Sequence, residues 1–493
     1  MILVGCPQKD DTDSCPDTGE EGEGLIWPEQ RVPASVADYV LVGITSGNQT
    51  GAQVAPAGDV DGDGLDDILV GVDLYDGAFL GGGGAFVMMA ANLQPEVALG
   101  EAALLLTGEG ELDVAGHSLL GNYDLDGDGH AEVLVTAYQH DDVELDQGRI
   151  YLHWGADLPS TGIQSLGEAP VILEGNAQLD RLGHRVEWVG DVDGDGIKDL
   201  LTSSYGASID GLNVGVAHLI SGAEIRDGVW RMEDIAHTNF LGEEKQDAAG
   251  FYATGVDDVD GDGRPDLFLA APKADAGVSN GGVLYPVFSS DLLLGGEVLL
   301  DRTKGGISGT VLAMQCCAVA SAGDVDGDGR GDVLAGASAG GSDFTLQGEA
   351  FLFLAPTLAE DGFRTTDAAD LRVTHPQEGA HVGSSVGSFG DWDQDGLGEI
   401  LVGVAGLNEV GDNAGAVLLF FGADLLGRSE LGVEDARHIF LADREWQHFG
   451  RSVSRGGDIN GDGRPDLLVG APMEPMEWDR GPGSAYVYLA PSP

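Results

Sequence analysis

The sequence predicts an all-β protein, a seven-bladed β-propeller made of four-stranded antiparallel blades. Three observations carry this. An acidic loop of pattern D-x-D-x-D-G-x-x-D recurs with starts at Asp59, Asp124, Asp191, Asp258, Asp324, Asp391 and Asp458, a spacing of 65 to 67 residues throughout. Short runs of β-branched and aromatic residues, bounded by Gly, Asp and Pro, flank every copy and read as strands. No segment sustains a helical period. At 493 residues the chain exceeds the roughly 250–300 residues that one core supports, and self-similarity at fixed spacing resolves that excess as a repeat.

Within a unit the elements follow in a fixed order. Eight residues before the acidic loop stands a glycine (Gly51, Gly116, Gly183, Gly250, Gly383, Gly450), replaced by Cys316 in the fifth unit. Directly after the loop comes an apolar run such as Ile68-Leu69-Val70 or Leu467-Leu468-Val469. A polar, glycine-containing segment leads to a third run, for example Gly84-Ala85-Phe86-Val87-Met88, and a fourth follows, as in Val171-Ile172-Leu173. Four strands in each of seven units fit a radial array that leaves only short edges. The last unit stops after its third strand at Leu489, while an unpaired strand, Asp38 to Val42, opens the chain. Pairing the two closes the ring; an open solenoid would need capping units.

These elements resemble the FG-GAP repeat of integrin alpha-subunit propellers and their bacterial relatives: Phe449-Gly450, Gly457-Asp458 and Gly470-Ala471-Pro472 stand where that repeat has its named elements. Most units keep only the glycine of FG. GAP becomes Gly-Val-Asp at 71–73, Thr-Ala-Tyr at 136–138 and Ser-Ser-Tyr at 203–205. The resemblance spans about residues 36–490. It implies that ligands dock on the face opposite the acidic hairpins.

The loops themselves point to a cation. Carboxylates at positions one, three and five project to one side of a tight turn, the glycine at six allows the reversal, seven offers a carbonyl and nine another carboxylate. The expected ligands are Asp59, Asp61, Asp63, Leu65 and Asp67; Asp124, Asp126, Asp128, His130 and Glu132; Asp191, Asp193, Asp195, Ile197 and Asp199; Asp258, Asp260, Asp262, Arg264 and Asp266; Asp324, Asp326, Asp328, Arg330 and Asp332; Asp391, Asp393, Asp395, Leu397 and Glu399; and Asp458, Asn460, Asp462, Arg464 and Asp466. The seventh-position residue contributes only its carbonyl. All-oxygen ligation suits Ca²⁺, up to seven ions, better than Mg²⁺ or Zn²⁺. An EF-hand requires a glutamate at position twelve and flanking helices; here position twelve is Val70, Val135, Thr202, Leu269, Ala335, Val402 or Val469. Four carboxylates in one turn repel one another unless a cation sits among them.

Composition excludes other classes. With 84 acidic against 23 basic residues the formal charge is −61, which opposes nucleic acid and anionic bilayers. The richest apolar run, Gly415 to Leu426, is broken by Asp424 and is too short to span a membrane. Residues 1–34 read as a flexible acidic tether ahead of a propeller at 35–493. Leu3-Val4-Gly5-Cys6 is similar to a bacterial lipobox, with Cys6 as the acylated residue, although only five residues precede it where a signal peptide needs more. Such an anchor places the domain outside the cytoplasm. Cys316 and Cys317 are adjacent, a spacing outside the usual disulfide range.

No catalytic motif survives inspection. In Arg330-Gly331-Asp332 the aspartate is a loop position, and Gly336 to Gly340 matches a nucleophile elbow only where a GAP element belongs. His117 and His184 share one offset from their loops, and His381 and His448 another, which favours packing or turns. Tyr75, Tyr138, His140, Asp141, Asp142, Tyr205, Trp446 and Trp478 fall on the variable loops of the expected ligand face, where exposed aromatics mark binding surfaces. The expectation is an extracytoplasmic binding or adhesion module for a protein or glycan. The alternatives are a surface-assembly scaffold, and a polysaccharide-acting enzyme marked by acidic and basic groups converging at the ring centre.

Overall fold

The computed structural model describes residues 27, 29–141, 144–275, 280–292, 295–303, 305–309, 317–338, 346–359, 362–472 and 481–491. Cys6, Asp142, Cys316, Ala339, Gly340 and Trp478 lie outside them, as does the side chain of Cys317.

Seven sheets form the seven blades. Blade 1 comprises Val54–Gly58, Asp67–Gly71, Gly84–Met88 and Leu104–Thr107, each antiparallel to the next. Blades 2 to 7 begin at Ala115–Leu120, Leu182–Val189, Tyr252–Val256, Cys317–Gly323, Val382–Gly390 and Ser452–Arg455. The middle strands are apolar on both faces because each blade is covered by its two neighbours: every residue of Asp67–Gly71 and Gly84–Met88 is buried. The core therefore lies between blades. Leu69, Val87 and Leu106 of blade 1 pack with Val133, Val135 and Tyr151 of blade 2, and the same pairing of Leu401, Leu419 and Phe440 with Leu467, Val469 and Tyr488 joins blades 6 and 7.

The ring closes as expected. Tyr39–Val42 is the fourth strand of blade 7, antiparallel to Ser484–Tyr488, and Leu489 N–H donates to Asp38 Oδ2 at 2.8 Å. Leu41 is fully buried there.

Two features depart from the sequence reading. Each blade has a fifth strand, short and parallel, lent by the following unit: Gly162–Ser165 of unit 2 lies along Leu104–Thr107 of blade 1. It satisfies the outer-edge peptide groups that a four-stranded blade leaves open. Blade 6 takes its fifth strand from the N-terminus, where Arg31–Pro33 runs parallel to His438–Leu441. The propeller thus starts before residue 35. Trp27 stacks on Trp392 with centroids 5.3 Å apart, Val32 and Ala34 are buried, and Arg31 pairs with Glu409 and Glu434. Residues 27 and 29–34, expected in the tether, belong to the ring.

Candidate metal centres

Each acidic loop joins the first two strands of its blade and is ordered by its own carboxylates. In all seven, the sixth-position glycine N–H donates to the first aspartate, as Gly64 does to Asp59 Oδ2 at 2.9 Å. The seventh N–H donates to the fifth-position Oδ1, as Leu65 does to Asp63 at 2.9 Å. The turn needs left-handed backbone at position four as well as six. Position four is a glycine in six loops and Gln394, at φ 63°, in the other, a constraint the sequence reading passed over.

Position nine differs in kind from the others. Asp67, Asp199, Asp266, Asp332 and Glu399 are wholly buried, and Glu132 and Asp466 nearly so. Asp332 accepts Val325 N–H and Ala355 N–H, both at 2.8 Å. One oxygen holds the loop and the other holds the end of the third strand; Asp67 and Asp466 repeat the arrangement. Burial, with the neighbouring loop aspartates, pushes the Asp67, Glu132, Asp332 and Asp466 carboxyls up to about 7 and Glu399 to about 8. A cation reverses that shift by supplying the opposite charge.

The donor set fits a hard divalent ion. Oxygens of Asp59, Asp61 and Asp67 lie within 4.8 Å of one another, as do those of Asp124, Asp126 and Glu132, of Asp191, Asp193 and Asp199, of Asp324, Asp326 and Asp332, and of Asp258, Asp260 and Asp262. A carboxylate oxygen has two lone pairs, so the N–H groups that aim these side chains leave capacity for a metal. The arrangement offers oxygen donors without nitrogen or sulfur, a set that suits a hard divalent cation.

On the opposite face, the structure gathers residues that lie far apart in sequence. His117 lies 4.9 Å from His184 and 4.6 Å from Tyr138, centroid to centroid. Tyr205 and Phe251 pack on His184, and Arg185 covers Tyr252. This aromatic patch crosses blades 2 to 4 beside an axial channel of about 260 Å³ that Arg185, Glu187 and Arg451 help to line. Its histidines were legible only as repeated offsets. Tyr138 and Tyr205 are half-buried members of the patch, and Tyr75 and Trp446 are half-buried elsewhere. His140 is withdrawn from the surface: it is 5% exposed and its Nδ1 meets Asp113 Oδ2 at 2.8 Å. His381 and His448 occupy left-handed turns. Asp332 of the Arg-Gly-Asp triplet is buried, so that triplet presents no free carboxylate. No helix among the described residues is long and apolar enough to cross a membrane.

Comparison with known proteins agrees with this architecture. The FG-GAP repeat model matches residues 116–153 and 449–488. Integrin alpha-5 of Xenopus laevis is 29% identical over 231 residues, 45% of this chain and 19% of that protein. Integrin alpha-IIb of Homo sapiens is 34% identical over 154 residues, 30% and 14% respectively. Phosphatidylinositol-glycan-specific phospholipase D of Bos taurus is 39% identical over 103 residues, 20% and 12%. The match spans less than a fifth of each of these relatives. The chain thus folds as a seven-bladed β-propeller, carries FG-GAP repeats at the matched residues and is similar over part of its length to integrin alpha subunits.

Proposed function

We propose that this is an extracytoplasmic, calcium-stabilised propeller that binds a protein or glycan ligand through the face carrying the aromatic patch. The observation that supports calcium is the convergence of three carboxylate oxygens within 4.8 Å in loop after loop. Asp, Asn and Glu side chains at positions one, three, five and nine, with the seventh carbonyl, hold the ion; its chemistry there is charge neutralisation, which clamps one hairpin per blade. Sites of extracellular type work at roughly 10⁻⁴–10⁻³ M, a range suited to a calcium-rich exterior, and Cys6 as an acyl anchor belongs to the same reading. The integrin relatives lend the adhesion role. Half-buried Tyr138 and Tyr205, with His117, provide aromatic edges for a ligand.

The test has two arms. Thermal unfolding in millimolar CaCl₂ against EGTA should separate the melting temperatures by several degrees; superimposable curves would remove calcium from the account. A protein and glycan array probed with and without calcium should show a ligand whose binding falls at least tenfold in Tyr205→Ala. Binding that survives loss of Tyr138 and Tyr205 together moves the site elsewhere.

One observation favours a second reading, an enzyme acting on polysaccharide. Asp73 Oδ2 stands 4.0 Å from His117 Nδ1 beside the channel. Burial pushes the Asp73 carboxyl up to about 6; burial, then Arg185 and Arg451, pulls the His117 imidazole down to about 3. A carboxyl raised toward neutrality is a workable general acid for a glycosidic oxygen, with the imidazole beside it held neutral. Release of reducing sugar from a glycan panel, abolished by Asp73→Asn, would establish it.

A further inference from the structure

The acidic loops touch one another around the ring, but not at every junction. In four cases the eighth-position N–H of one loop donates to the first-position carbonyl of the loop before it. Asp66 reaches Asp458 at 3.0 Å, Ala131 reaches Asp59 at 2.8 Å, Gly331 reaches Asp258 at 3.0 Å and Gly398 reaches Asp324 at 2.7 Å. In blades 4 and 7 the eighth position is Pro265 or Pro465, which has no N–H to give. In blade 3 the Lys198 N–H goes instead to the Tyr123 hydroxyl at 3.1 Å, outside the loop. Trp392 Nε1 does reach the Pro465 carbonyl at 3.3 Å, but this side-chain contact leaves the first position of loop 6 untouched.

Packing divides the ring in a matching way. The seventh-position side chain of one loop lies over the fourth-position glycine of its predecessor. A Cβ on Gly62 would stand 2.6 Å from His130, one on Gly461 3.0 Å from Leu65, one on Gly327 3.0 Å from Leu397 and one on Gly261 3.5 Å from Arg330. A Cβ on Gly127 or Gly194 would meet nothing within 4 Å. The loops therefore fall into two linked runs, 7–1–2 and 4–5–6, with loop 3 apart.

The link is chemically direct. The carbonyl at position seven and the N–H at position eight belong to one planar peptide. A cation on that carbonyl fixes and polarises the peptide, whose N–H then holds the first aspartate of the preceding loop, itself a ligand. Repulsion between ions does not cancel this: a loop with four carboxylates is still −2 after accepting +2, and the field between exposed sites is screened over about 8 Å at physiological salt.

We propose that calcium binds cooperatively within the two triplets of loops, 7–1–2 and 4–5–6, and independently in loop 3. This rests on the calcium reading above, so the test separates the two. Amide hydrogen exchange of the full chain, read loop by loop across a calcium titration, gives seven midpoints. Emptying loop 1 with Asp59→Asn and Asp61→Asn should move the midpoints of loops 2 and 7 to higher calcium by about threefold to tenfold, the worth of a net hydrogen bond, and leave loops 3 to 6 in place. Ala131→Pro keeps every ligand and copies what Pro265 and Pro465 do naturally; it should release loop 2 from loop 1 while loop 7 stays linked. Midpoints for loops 2 and 7 that do not move, or a uniform shift of all six, overturn the proposal while leaving calcium binding intact. If no loop of the unaltered protein gains protection with calcium, both readings fail.

Discussion

Asp332 and Asp328 sit in one loop but hold different things, and substituting each with asparagine should separate structure from metal. Asp332 is buried and divides its oxygens between Val325 N–H and Ala355 N–H. An amide there keeps one acceptor and sets its NH₂ against the other donor, so Asp332→Asn should cost about 1–3 kcal/mol even in EGTA. Asp328 is exposed and, among the described residues, accepts only the Arg330 N–H through Oδ1, a bond that asparagine can also accept; in EGTA its substitution should lie within roughly ±0.5 kcal/mol. Calcium changes the comparison. At 10 mM CaCl₂ and a dissociation constant of about 10⁻⁴ M, an occupied site adds about 2.7 kcal/mol, and Asp328→Asn should lose most of it. Urea unfolding followed by tryptophan fluorescence at pH 8, with and without calcium, yields the four differences. An Asp332→Asn protein as stable as the parent in EGTA would show that the ninth carboxylate is not a fastener. Equal effects of Asp328→Asn in both buffers would show that position five does not serve a cation.

Three further outcomes are expected. Leu41→Ala, in the strand that closes the ring, should lower stability by about 2–5 kcal/mol, read as a fall in the urea midpoint. Deleting residues 1–34 strips the outer strand from blade 6 together with buried Val32 and Ala34, and should cost about 2–4 kcal/mol, seen as a lower calorimetric melting temperature. Burial in the channel wall pushes the Glu187 carboxyl up to about 7, against partial relief from Thr254 and Gly255. A raised acid leaves the folded state binding more protons than the unfolded, so stability is lost as pH rises from about 4.5 through about 7. Glu187→Gln keeps both contacts and should therefore be more stable than the parent at pH 8, by about 1–3 kcal/mol, and indistinguishable at pH 4; a parental pH profile in the variant would contradict this.

The seven-fold order was legible because its markers are local. Asp59 to Asp67 and their six copies carry the turn, the candidate metal-binding carboxylates and the spacing in one short string, and the unpaired strand near Tyr39 announced the closure. The fifth strands were not legible, since Gly162–Ser165 is short, without an apolar run and partly exposed or more, and its partner is chosen by geometry between units. The docking of Trp27 on Trp392 had no periodic signal at all. At the site, the carboxylates could be read directly, but the second hydrogen bond of position nine depends on where the third strand ends. The junctions between loops depend on how one blade is turned against the next. The aromatic patch shows the same limit: His117, Tyr138, His184 and Tyr205 are scattered in sequence and converge only once three blades stand side by side.

Because blade 7 joins the first strand of the propeller to its last, the ring cannot close until every blade has been made. Asp38 and Leu489, hydrogen-bonded in the closed ring, are 451 positions apart, so the strand at Tyr39–Val42 leaves the ribosome early and waits through the synthesis of every other blade for its partner. Contacts of such long range form slowly, and during that interval an open strand edge is available to another copy of the chain. Exchange of this segment between molecules, yielding closed rings with swapped first strands, is the natural misassembly of this architecture, and crowding nascent chains on one message is the circumstance that would favour it.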